Sequence, residues 1–145
     1  MTRVVLDANV LTPGFTSTGS ASSRLVSHWR AGAYELVISE HILAELARAF
    51  KDPYYRARAT PRQAERALAL LREDAIVTEL TTQVVAVATH PEDDLVLSTA
   101  LSGQASILCT RDKQLLRLRS CQSVAILSPG ELLALLEAEA LEENG

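Results

Sequence analysis

Two kinds of segment alternate along the chain. The first is a short, nearly unbroken apolar run: Arg3–Leu6, Leu36–Ile38, Ile76-Val77, Ser106–Cys109 and Val124–Leu127. Runs of this length suit strands covered on both faces. The second repeats apolar residues three and four apart. It runs from about Ser20 to Ala31, with Leu25, Val26 and Trp29 on one side and Gly32 as a stop. It recurs after Ser39, a residue suited to cap a helix, with Ile42, Leu43, Leu46, Ala49 and Phe50 in step. A third helix is expected from Thr60-Pro61 to about Asp74. Others follow from His90-Pro91 to about Gly103, over Lys113–Leu118, and from a Ser128-Pro129-Gly130-Glu131 capping box to about Leu141. Thr81–Thr89 reads as a weak helix rich in valine, and Pro13, Gly14 and Thr16–Ser20 as a loop. The alternation predicts an α/β fold in three layers, a central parallel sheet of about five strands between helices. Periodicity does not give the strand order.

Composition narrows the setting. The 145 residues fit one domain spanning the whole chain, and 48% of them are apolar, enough for a sizeable core. No apolar run reaches the roughly 20 residues that cross a bilayer. The opening Met-Thr-Arg-Val-Val-Leu-Asp is not a signal peptide, so a cytoplasmic location is expected. Cys109 and Cys121 lack the spacing of a disulfide framework or a zinc site and read as free thiols, the first in a strand, the second in a polar connector. A net charge of −4 sets a condition on any role with nucleic acid. Bound cations or a local basic patch must offset it.

The carboxylates are placed unevenly. In open parallel sheets, ligands collect beyond the C-terminal ends of the strands. Asp7 follows the first strand, and Asp112 comes three residues after Cys109. Glu45 lies beside the apolar stripe of the helix after the second strand, and Asp94 lies in the first turn of the His90–Gly103 helix. Four acids at one rim raise one another's pKa, and a divalent cation relieves the conflict. Oxygen-only ligands favour Mg2+ or Mn2+ over zinc. Such a site suits phosphodiester hydrolysis. Each acid also has a plain structural reading: a turn former at Asp7, a helix-surface partner of Arg48 at Glu45, a helix-dipole charge at Asp94, an N-cap at Asp112.

Four stretches resemble the PIN-domain family in order: Val-Val-Leu-Asp7-Ala-Asn9, Ser39-Glu-His-Ile-Leu-Ala-Glu45, His90-Pro-Glu-Asp93-Asp94-Leu-Val-Leu, and Cys109-Thr110-Arg111-Asp112. The resemblance implies a ribonuclease holding Mg2+ or Mn2+ with Asp7, Glu45, Asp94 and Asp112. Asp93 is an adjacent candidate, with Asp94 preferred on helix face and motif position. It further implies a VapC-like toxin of a toxin–antitoxin pair, commonly a homodimer silenced by a small antitoxin. A processing nuclease that is not a toxin, or a non-catalytic scaffold, are the alternatives. Gln114 stands where relatives often carry a further acid. Asn9 and Thr110 fit supporting roles around Asp7 and fit equally as turn residues; Ser39 belongs to the second motif.

The charge condition is met locally. Lys51 to Arg66 is the densest basic stretch, Tyr54 and Tyr55 within it can stack on unpaired bases, and Arg111 is the best single candidate for a phosphate contact. A solvated loop and basic helix face is the plainer reading of that stretch. Two other classes fit less well. A phosphotransferase resembling the haloacid dehalogenase group needs Asp-x-Asp where this chain has Asp7-Ala8-Asn9, and a receiver-type domain needs a lysine where the last strand runs into Ser128-Pro129.

Overall fold

Each apolar run is a strand in the computed structural model, which describes residues 1–144. β1 (Arg3–Leu6) leads into α1 (Ala8–Thr16) and α2 (Ala21–Arg30). β2 (Glu35–Ile38) is followed by α3 (Glu40–Ala49), the single turn α4 (Pro53–Arg56) and α5 (Pro61–Asp74). β3 (Ile76–Val77) precedes α6 (Pro91–Ser102), and β4 (Ile107–Cys109) precedes α7 (Lys113–Leu118). A hairpin of β5 (Ser120–Cys121) and β6 (Val124–Leu127) leads to α8 (Pro129–Asn144).

The strands form one sheet in the order β3-β2-β1-β4-β6-β5. Five are parallel, as expected, and the sixth, β5, pairs antiparallel with β6 at the edge. β5 contains the supposed connector residue Cys121, whose side chain is buried. Successive residues Val4, Val5 and Leu6 are all sealed from solvent, so both faces of β1 are covered. α6 packs across β1, β2 and β4, while α1, α2, α3 and α8 pack among themselves. In α8, Leu132, Leu133 and Leu136 enter the core and Leu135 turns outward.

Two expectations fail, each for a packing reason. Of the segment read as a loop after β1, Pro13, Gly14 and Thr16 lie in α1, with Pro13 inside the helix, and residues 17–20 form the loop that joins it to α2. Thr12 and Thr16 return their hydroxyls to the carbonyls of Ala8 and Thr12, at 2.7 and 2.8 Å. Gly14 lets α2 approach so closely that a Cβ there would stand 2.7 Å from Val26 Cγ2. Tertiary contact thus outweighs the proline and glycine. The helix read over Thr81–Thr89 is an irregular strap along α6. Its backbone N–H groups bond to side chains of that helix: Thr82 to Ser102 Oγ and Val84 to Ser98 Oγ, both at 3.0 Å.

Candidate active site

β1 lies between β2, which follows it in sequence, and β4, which belongs to the second half of the chain. The strand order reverses between β1 and β4, and a crevice opens where the chain leaves those two strands in opposite directions. Leu6 pairs with Cys109, so the next residues, Asp7 and Thr110, emerge side by side.

A small hydrogen-bond mesh fixes both. Asp7 caps α1, accepting from the Ala8 N–H at 2.7 Å through Oδ1. Its Oδ2 accepts from the Thr110 hydroxyl at 2.9 Å. That hydroxyl in turn accepts from Asn9 Nδ2 at 3.2 Å and from the Asp112 N–H at 3.1 Å. Asn9 Oδ1 accepts from the Arg111 N–H at 3.0 Å. Asn9 and Thr110 therefore tie the ends of β1 and β4 together while holding one face of the Asp7 carboxylate. Asp112 caps α7, its Oδ1 accepting from the Gln114 and Leu115 N–H groups at 2.8 and 3.0 Å.

Asp7 opens onto a cleft of about 600 Å3 whose lining includes Glu45, Glu92, Asp93, Arg48 and Tyr55. Burial pushes the Asp7 carboxyl from 3.8 up to about 6, against the lowering effect of the Thr110 and Ala8 hydrogen bonds, and the charges of Glu45 and Asp93 push the same way. Glu45 is also raised, first by burial and then by Glu92 and Asp93, while His41 and Arg48 oppose the rise. His41 Nε2 stands 3.2 Å from Glu45 Oε1, an ion-pair distance without hydrogen-bond geometry. Asp93 is raised by burial and then by Asp112, with Glu92 and Asp94 adding to it and His90 opposing. Asp7, Glu45, Asp93 and Asp112 thus act on one another in a chain of like charges.

Asp94 is not part of this group. Its buried carboxylate accepts from the N–H groups of Ala86, Val87 and Ala88 at 3.0, 3.1 and 2.7 Å, which latches the strap to α6. Ser39 is likewise turned inward, its hydroxyl 2.7 Å from that of Thr99, joining the start of α3 to α6. Arg111 is exposed beside the cleft. Glu92, Arg48 and Tyr55 line the cleft without having been singled out for it. Glu92 was legible only as a dipole charge, and Arg48 only as a helix-surface partner of Glu45.

The donor set fits a hard divalent cation. It is all oxygen, it carries mutual repulsion that a cation removes, and the Asp7 carboxylate, held by fixed donors on one side, faces the cleft on the other. Among the described residues, no three acid, histidine or cysteine side chains already stand gathered at metal-binding distance.

The sequence matches the PIN domain family over residues 3–114. No curated protein matches it. In three dimensions the chain is similar to PAE2754 from Pyrobaculum aerophilum, at 21% identity and a TM-score of 0.66, over 94% of this chain and 90% of that one. It is also similar to VapBC2 from Rickettsia felis, determined bound to a DNA fragment from their promoter (13% identity, TM-score 0.57, 87% and 98% covered). VapBC-1 from nontypeable Haemophilus influenzae gives 21% identity and a TM-score of 0.57, over 88% and 98%.

Proposed function

This chain belongs to the PIN-domain family, a family of nucleases, and on that premise we propose that it is a divalent-metal-dependent endoribonuclease, the toxin half of a toxin–antitoxin pair. The observation that carries the reading is the shared cleft at the strand-order reversal, where Asp7, Glu45 and Asp93 face one another with raised pKa values. Asp7, Glu45 and Asp93 would hold Mg2+ or Mn2+, with Asp112 at the margin. Asp93 takes the place that the motif alone gave to Asp94, whose oxygens are occupied by the strap. The cation, when bound, supplies activation of water and stabilisation of charge on the phosphate.

The chain's own side chains prepare that site. Thr110 and Asn9 hold Asp7 in one orientation, so its free lone pairs point into the cleft. Arg48 supplies a positive charge beside Glu45 and is placed to meet a substrate phosphate. The antitoxin partner is supported by the fold likeness to VapBC2 and VapBC-1, and the homodimer by the family resemblance. A monomeric mass, with no small protein co-purifying when the neighbouring reading frame is co-expressed, would remove both.

The nuclease is tested by incubating purified protein with labelled single-stranded RNA in Mg2+, Mn2+ or EDTA. Cleavage in either metal and none in EDTA is the expected result. Folded protein that leaves a mixed RNA pool intact in both metals would overturn the reading.

A further inference from the structure

A second cavity, of about 560 Å3, adjoins the acid cleft. Its lining contrasts with that of its neighbour: two arginines, Arg58 and Arg111, two tyrosines, Tyr54 and Tyr55, several hydroxyls, and no acid. In a chain with a net charge of −4 this is a local reversal of sign. Among the described residues four of the twelve arginines, Arg3, Arg24, Arg30 and Arg72, pair with a carboxylate, and Arg58 and Arg111 are among the eight that do not. Two free cations at the rim of a carboxylate cleft are placed to attract a polyanion.

The aromatic side of the cavity is equally particular. Tyr54 is 57% exposed and packs edge-to-face on Tyr55, ring centroids 5.0 Å apart. The Arg58 guanidinium lies over the Tyr54 ring, 3.4 Å from its centroid, and donates to the Tyr54 carbonyl at 2.7 Å. A stacked arginine on an exposed tyrosine is a platform on which a further planar group can lie. An unpaired base, its faces not taken up by neighbours in a helix, is suited to lie there.

The two cavities are physically continuous. Tyr55 lines both, and the Arg111 N–H bonds to Asn9, which lines the acid cleft. We propose that this groove seats the single-stranded RNA next to the bond that is cut, a base on the Tyr54–Arg58 platform and a backbone phosphate against Arg111. The proposal rests on the ribonuclease reading and adds the strand's path and the side chains that hold it.

The test is fluorescence anisotropy of a short dye-labelled single-stranded RNA in EDTA, which reads binding without cleavage. The same sequence closed into a hairpin duplex serves as the comparison. Tyr54→Ala and Arg58→Ala should each weaken single-strand binding about five-fold or more, as loss of a base–aromatic stack does. Arg111→Ala should lower the slope of log affinity against log salt by roughly 0.7, the loss of one phosphate contact on a single strand. Arg117→Ala, which removes the same charge outside the groove, should do neither. The proposal is overturned if the parent protein does not bind the single strand, if it prefers the duplex, or if the groove variants bind like Arg117→Ala. Groove variants that bind and cut normally would sink the groove and leave the nuclease standing. Groove-dependent binding by a protein that never cuts would do the reverse.

Discussion

Replacing Asp7 with asparagine should make the metal-free protein more stable at neutral pH, although it removes a central residue of the proposed site. Burial raises the Asp7 carboxyl from 3.8 to about 6, so its ionised form strains the fold. At about 1.4 kcal/mol for each pH unit, that displacement amounts to roughly 3 kcal/mol. Asparagine carries no charge but presents an NH2 where Asp7 Oδ2 receives the Thr110 hydroxyl, losing a hydrogen bond of about 1 kcal/mol. The net gain is about 2 kcal/mol, or about 4–8 °C in melting temperature for a domain of this size. The sign follows from proton binding. Between about pH 4 and pH 6 the native carboxyl keeps a proton that the unfolded one releases, so the native protein loses stability as pH rises through that window. The variant escapes this loss, so its advantage should be full above about pH 6, close as the pH falls, and give way below about pH 4 to the deficit of about 1 kcal/mol from the lost Thr110 hydrogen bond. Urea or thermal unfolding in EDTA across this range measures the gap. An Asp7→Asn protein less stable than its parent at neutral pH, or a gap that does not close on acidification, would refute the reasoning.

Other consequences separate the acids from one another and test the packing. Asp94→Ala strips three backbone N–H groups of their acceptor and should cost about 2–3 kcal/mol in urea unfolding. Asp93→Asn should keep full stability yet lower cleavage by more than the roughly 10–100-fold typical of residues that merely orient a ligand. If instead Asp94→Asn abolished cleavage at unchanged stability and Asp93→Asn left it intact, the order of the two would be reversed. Adding Mn2+ should raise the melting temperature of the parent protein, by about 2.7 kcal/mol in stability at 100 times the dissociation constant, and leave Asp7→Asn nearly unmoved. Gly103→Ala would place a Cβ 2.3 Å from Val37 Cγ1, where α6 ends against β2, and should cost about 1–3 kcal/mol, largely restored by adding Val37→Ala.

Much of the fold was legible because buried parallel strands are short apolar runs and their helices carry period and caps. The Ser128–Glu131 capping box, for example, forms as read, with bonds of 3.0 and 3.2 Å. Asp7 was legible from its position after β1, and Asn9 and Thr110 do hold it. The sheet order was out of reach, since β1 finds β4 only through long-range pairing. Asp94 was preferred to Asp93 on helix face and motif position, but adjacent residues in the first turn of a helix point about 100° apart, and the strap that takes up the Asp94 oxygens comes from outside the helix. One signal was overlooked. Asp94, Ser98 and Ser102 stand four residues apart on a helix that is otherwise mostly apolar, a polar ladder that needs backbone partners. Those partners are the N–H groups of the strap, and so the same ladder also explains why residues 81–89 are not a helix.

The measurement that bears most directly on the central claim is metal-dependent cleavage of single-stranded RNA by the parent protein, Asp7→Asn and Glu45→Gln, side by side. Each protein is first shown to be folded by its melting curve. The acid cleft predicts cutting in Mn2+ or Mg2+ by the parent alone, with both variants silent and at least as stable. Undiminished cutting by either variant, or cutting that persists in EDTA, would place the chemistry elsewhere and contradict the account.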